Sequence, residues 1–399
     1  MKKTLLSFIL VTAISCSSDS PNKVNTHSQP ENFSSAKYNE DLIGSFYLPE
    51  MDIVLNNLSK IDSATSNCEI FEVNDEIKNT WISLSTSYQK IWPLTHATLD
   101  RDPEIGAEIS QELISVAYPY DSCRVQRNTS TGEFSRMSLK EDSSINVLEM
   151  MIFKNITTDN LCSNHSTESE NINTWIASGT QQESLCQAIN IIAKHTHNKL
   201  NTIQDENKSL YAQNKSGEIL SSDNVQKTYD SIALFVDQEL KDNKVATPLG
   251  VTNCLGFTCP TAAENQPSNT AFKSISSNLQ GLMMVFNQNP SMATPALRKG
   301  LYQFLLINDQ TTVANQIYSK IQEAYTLSEQ LSEENFLSIA ESIDNAEGKS
   351  LCELSTKETP FIPACVLYKS IKDLSDLIKI DLRLALSLSK SKQIEGDSD

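Results

Sequence analysis

The stretch "DEIKNTWISLSTSYQKIWPLTHATL", residues 75–99, decides the fold class. Ile77, Trp81, Leu84, Tyr88 and Ile91 recur at alternating steps of four and three, so they line one face of an α-helix that other helices must cover. Pro93 lacks a backbone donor, and the helix is expected to kink or end locally there. The same spacing recurs along the chain. Leu185, Ile189, Ile192, Thr196, Leu200 and Ile203 mark a helix over 182–203, and Val225, Tyr229, Ile232 and Val236 start another. Phe272, Ile275, Leu279, Leu282, Met283 and Phe286 form a third stripe, and Val313, Ile317, Ile321 and Leu327 a fourth. A last helix begins near Cys365 and carries Ile371, Leu374, Ile378, Leu382 and Leu386. Eleven glycines in 399 residues are few, and little β-branched alternation occurs, so the expected fold is all-α. Long helices with short connections read as two packed antiparallel helical bundles with loops bracketed by cysteines. The polar stretch 204–222 sets the expected division, with one bundle over 36–215 and a second over 222–392. The best-marked loop is "KVATPLGVTNCLGFTCP", residues 244–260.

The first residues, "MKKTLLSFILVTAISC", have two lysines, an apolar core from Leu5 to Ile14 and a small residue before Cys16. Residues 1–15 therefore read as an export signal, with a core too short for a permanent bilayer span. The "AISC" ending resembles the lipobox of bacterial lipoproteins, in which the cysteine is lipidated; an ordinary secretory signal that contains a cysteine is the alternative. Residues 16–35 are polar and aperiodic and suit a flexible tether. Ser17, rather than Asp, after the cysteine favours the outer membrane in lipoproteins of this kind. The expected location is thus an outer-membrane lipoprotein facing the periplasm. A formal charge of −18 argues against nucleic acid and against broad adhesion to anionic lipid. The partners that fit are a membrane, through the lipid anchor, and a cell-envelope protein.

Nine cysteines less the lipidated one leave Cys68, Cys123, Cys162, Cys186, Cys254, Cys259, Cys352 and Cys365, an even set in an exported chain. Sequence alone does not fix connectivity. Neighbour pairing is the simplest assignment: Cys68–Cys123, Cys162–Cys186, Cys254–Cys259 and Cys352–Cys365. A zinc reading is poor, because Cys254-x4-Cys259 has no second pair at zinc-like spacing.

"TWISLSTSYQKIWPL", "AYPYDSCRVQR", "SSINVLEMMIF", "KVATPLG" and "SISSNLQGLMMVF" occur in that order and resemble segments of the imelysin family over most of residues 40–390. The resemblance implies an exported, often lipid-anchored all-helical protein linked to iron uptake, from a family once classed as peptidases. Its hallmark, G-x-H-x-x-E, is altered here: Ser144 stands at the glycine, Asn146 at the histidine, and Glu149 is retained. His and Glu at i and i+3 share a helix face and can bind one metal, whereas an asparagine amide is a poor transition-metal ligand.

On a helical wheel Glu149 falls between Ile145 and Phe153, at the edge of an apolar stripe, and Asp142, Asn146 and Glu149 form a polar line. A carboxylate there needs a cation or hydrogen-bond donors. Of six arginines, Arg101, Arg124, Arg127 and Arg136 lie just upstream. Glu149 is therefore expected to be a buried, structurally paired carboxylate; a metal-ligand role is the alternative. His195 and His197 lie two apart on a helix and cannot face one metal together. His165, near several carboxylates in a loop, reads as solvated, and Trp81, Trp92 and Trp175 read as core. No catalytic triad, phosphate loop or dinucleotide fingerprint appears. These features describe a non-catalytic binding or accessory protein without a cofactor. The competing reading is a metal-dependent peptidase using Glu149, with iron or another divalent metal.

Overall fold

In the computed structural model the described residues are 38, 40–99, 121–135, 144–164, 166–213, 229–230, 232–252, 254, 259–288, 300–343 and 347–387. The export segment, Cys16, the tether, Arg101, Arg136, Asp142 and His165 lie outside them. Among the described residues the regular structure is helical throughout. The first half contributes α1 (Leu48–Ala64), α2 (Asp75–Leu99), α3 (Ser122–Thr131), α4 (Ile145–Phe153), α5 (Ser166–Ala177) and α6 (Gln181–Gln213). The second contributes α7 (Phe235–Ala246, wound at π pitch), α8 (Ala271–Asn287), α9 (Gly300–Ile307), α10 (Thr311–Gln330), α11 (Phe336–Glu341), α12 (Gly348–Leu354) and α13 (Pro363–Asp376).

The apolar stripes decide which helices meet. Ile77, Trp81, Leu84, Tyr88 and Ile91 of α2 are all buried, as are the predicted stripe residues of α6 and α8. Each such aliphatic side chain contributes roughly 1.5–3 kcal/mol on burial. In the first antiparallel bundle α1 packs on both α2 and α6; in the second, α8 packs on α10, α10 on α13, and α13 on α7. The two bundles meet where α2 lies against α8, and one hydrophobic core runs through both. At that crossing Gly281 is obligatory: a Cβ there would collide with the carbonyl oxygen of Lys90. The polar stretch 204–222 is helical as far as Gln213, because α6 continues ten residues beyond Ile203.

Pro93 neither ends α2 nor divides it. Proline removes the N–H that would bond to the carbonyl four residues earlier, here Gln89. Asn278 of α8 takes that acceptor, donating from Nδ2 to the Gln89 carbonyl at 2.7 Å. The missing helical donor is thus replaced from the other bundle.

The disulfides correct the neighbour pairing at two of the four bonds. Cys68 joins Cys186 and Cys123 joins Cys162, while Cys254–Cys259 and Cys352–Cys365 form as expected. The cause is spatial. The α1–α2 connection folds onto the start of α6, where Gln182 Nε2 donates to the Phe71 carbonyl at 3.3 Å, and this brings Cys68 to Cys186 across 118 residues. Cys123 and Cys162 instead sit with Ile172 and Trp175 in a small separate core at the α3–α5 corner. Every bond stays within one half of the chain.

Candidate functional site

Helix α4, "INVLEMMIF", is buried from Ile145 to Ile152. Ser144 starts it: the backbone is extended (φ −96°, ψ 163°), and the side-chain oxygen accepts the Val147 N–H at 3.3 Å, a helix N-cap. The Trp81 indole N–H donates to the Ile145 carbonyl at 2.9 Å and fixes this first turn against α2. Glu149 is 0% exposed, so protein donors must replace its hydration. Ser268 supplies two of them to Oε1, its backbone N–H at 3.0 Å and its hydroxyl at 2.7 Å. Asn146 is also buried, and its Nδ2 group has no acceptor among the described residues.

Ser268 belongs to the segment between Cys259 and α8, and that segment reaches the first bundle a second time. Its Asn265 and Asn269 adopt left-handed backbone (φ 52° and 55°), which asparagine tolerates better than most residues. Glu264 accepts from Gln89 Nε2 at 2.9 Å and pairs with the ammonium of Lys244 in α7. Lys244 also donates to Gln89 Oε1 at 2.8 Å, and Asn278 Nδ2 reaches the same oxygen at 2.8 Å. All four side chains are buried. Beside them, burial, with Tyr47 and Glu264 nearby, pushes the Tyr88 phenol well above the usual tyrosine range. Burial likewise raises Glu239 of α7, partly offset by a hydrogen bond from Asn243.

The structure thus gathers Ser144, Asn146 and Glu149 on α4 and closes them under a segment that sequence reasoning did not connect to them. Gln89, Lys244 and Asn278 lie within segments that carry the resemblance, but nothing in their spacing joined them, and Glu264 and Ser268 belong to no motif or periodic pattern. The donor set does not fit a transition-metal centre. It offers one amide, a poor ligand, and one carboxylate whose Oε1 already accepts two hydrogen bonds. Among the described residues no group of three or more His, Cys, Asp and Glu side chains is placed to hold a metal ion. Elsewhere, His195 and His197 are half-buried on α6, and burial lowers the pKa of His195. Trp81, Trp92 and Trp175 are core residues.

The chain is similar in fold to an imelysin-like protein from Psychrobacter arcticum 273-4, with a TM-score of 0.60 over 90% of this chain and 96% of that one at 14% identity. The fold is imelysin-like. A second crystal structure with this fold, an iron-regulated protein A precursor from Parabacteroides distasonis ATCC 8503, gives a TM-score of 0.54 at 11% identity, over 88% of this chain and 97% of that one. No family model and no curated protein sequence matches the chain. The imelysin-like fold therefore rests on backbone geometry held in common with these two proteins.

Proposed function

We propose that this protein is an imelysin-like lipoprotein of the outer membrane, facing the periplasm, and that it acts there as a non-catalytic binding or accessory protein connected with iron uptake. One observation carries the non-catalytic reading: the retained glutamate of the hallmark is fully buried and engaged by the N–H and hydroxyl of Ser268. A peptidase centre needs a carboxylate that can meet a metal, water or substrate. Here the carboxylate ties α4 to the segment ahead of α8. The link with iron draws on the fold, which the chain has in common with a protein described as iron-regulated. The lipoprotein reading draws on "AISC" at 13–16.

Two measurements test the proposal. Replacing Cys16 with Ser should move the protein from the membrane fraction to the soluble periplasm; unchanged membrane association would overturn the lipid anchor. Protein purified from the envelope should hold iron or zinc far below stoichiometric amounts, and Glu149→Gln should not change that content. Stoichiometric metal that disappears in the Gln variant, with the fold intact, would establish the competing metal-dependent reading.

A further inference from the structure

A cleft of about 1020 Å³ opens between the end of α1 and the start of α2. Its lining mixes neutral hydrogen-bonding side chains, among them Ser59, Asn67 and Asn74, with the charged Lys60, Glu72 and Glu76, over an apolar floor of Ile61 and Ile77. Two of the asparagines are fixed in orientation. Asn67 Oδ1 accepts the Glu69 N–H at 3.1 Å, and Asn74 Oδ1 accepts the Ile77 N–H at 3.0 Å. Their carbonyl ends hold the backbone, and no acceptor among the described residues takes their Nδ2 groups. The connection that carries them is itself anchored, by the Cys68–Cys186 bond and by Gln182 on the Phe71 carbonyl. At its tip Ile70 is 79% exposed, beside the cleft it lines.

Fixed amide donors, hydroxyls and an exposed aliphatic surface in one concave site suit a ligand with alternating hydroxyl and C–H faces. Pre-set donors also lower the ordering cost of binding. A polyanion is disfavoured by the formal charge of −18. We infer that the α1–α2 cleft binds a neutral saccharide chain, with Asn67 and Asn74 as donors and Ile70 as the apolar contact.

Calorimetry on the full chain with chitotetraose, maltotetraose and tetralysine tests this directly. Saturable binding of at least one tetrasaccharide is expected. Asn67→Asp with Asn74→Asp keeps the oxygens that hold the two turns and removes both donors, so affinity should fall at least about tenfold at an unchanged melting temperature. Ile70→Ala, at an exposed position that the fold does not use, should weaken binding as well. Co-sedimentation with peptidoglycan sacculi, competed by chitotetraose, would assign the ligand to the cell wall; calorimetric binding without it would assign a free oligosaccharide. Absence of saturable binding to both sugars overturns the inference. So does equal sugar affinity in the double Asp variant, or binding of tetralysine alone, which would mark the cleft as a site for basic peptides.

Discussion

Asp237, buried between α7 and α13, receives three donors on a single oxygen: Lys241 at 2.7 Å, Ser375 at 2.6 Å and Lys379 at 2.9 Å from Oδ1. Burial opposes its ionisation, but the hydrogen bonds from Lys241, Ser375 and Lys379 outweigh it and hold the carboxyl down at about 2, against an ordinary 3.8. A carboxyl with a depressed folded-state pKa stabilises the fold fully above its unfolded value. That contribution is lost as pH falls from about 4 through about 2. Asp237→Asn should therefore cost about 1.5–3 kcal/mol near pH 7, where it weakens charge-assisted hydrogen bonds from Lys241, which keeps Asp242 at 3.6 Å, and from Lys379. The gap from the parent protein should narrow between pH 4 and pH 2, as measured by urea unfolding across that range. A gap that stays constant with pH would show that the carboxylate charge is not what stabilises this corner. At the same scale, the sequence showed that Glu149 needed partners but not which ones. Ser268 is 119 residues away, and no local pattern encodes a contact made by a loop across two bundles.

At the scale of single helices the sequence is most informative, because one apolar face per helix is both the local signal and the cause of packing. The α2 stripe from Ile77 to Ile91 and the α8 stripe from Phe272 to Phe286 are buried throughout, and the helix bounds follow them closely. Pro93 is where a local rule misleads. The rule concerns the helix's own hydrogen bonds, and here Asn278 supplies the missing donor from outside. Asn278→Ala should cost about 1–3 kcal/mol by taking the donor from the buried Gln89 carbonyl, while Lys244 still serves Gln89 Oε1. In a Pro93→Ala background the helical N–H returns to the Gln89 carbonyl, so the same substitution should cost measurably less. Chemical denaturation of the four proteins checks this, and equal costs in both backgrounds would separate the asparagine from the proline.

Across the whole molecule, two bundles are held at one seam by side chains of the segment ahead of α8. Ser268 engages Glu149 on α4, and Glu264 engages Gln89 on α2 and Lys244 on α7. This organisation was only half legible. The all-α class and the two bundles follow from helix spacing, whereas the Cys68–Cys186 bond does not, since antiparallel packing places residues far apart in sequence at the same end of a layer. The buried Glu149 carboxylate, held by the N–H and hydroxyl of Ser268, closes the seam on the α4 side. The most direct test is a double-mutant cycle on unfolding free energy with Glu149→Gln, Ser268→Ala and their combination. A hydrogen bond to a charged acceptor exceeds one to a neutral acceptor by about 1 kcal/mol. Each single variant should therefore be destabilised, with a coupling energy of about 1 kcal/mol or more. Purely additive effects, with Glu149→Gln as stable as the parent, would contradict a structural role for the glutamate.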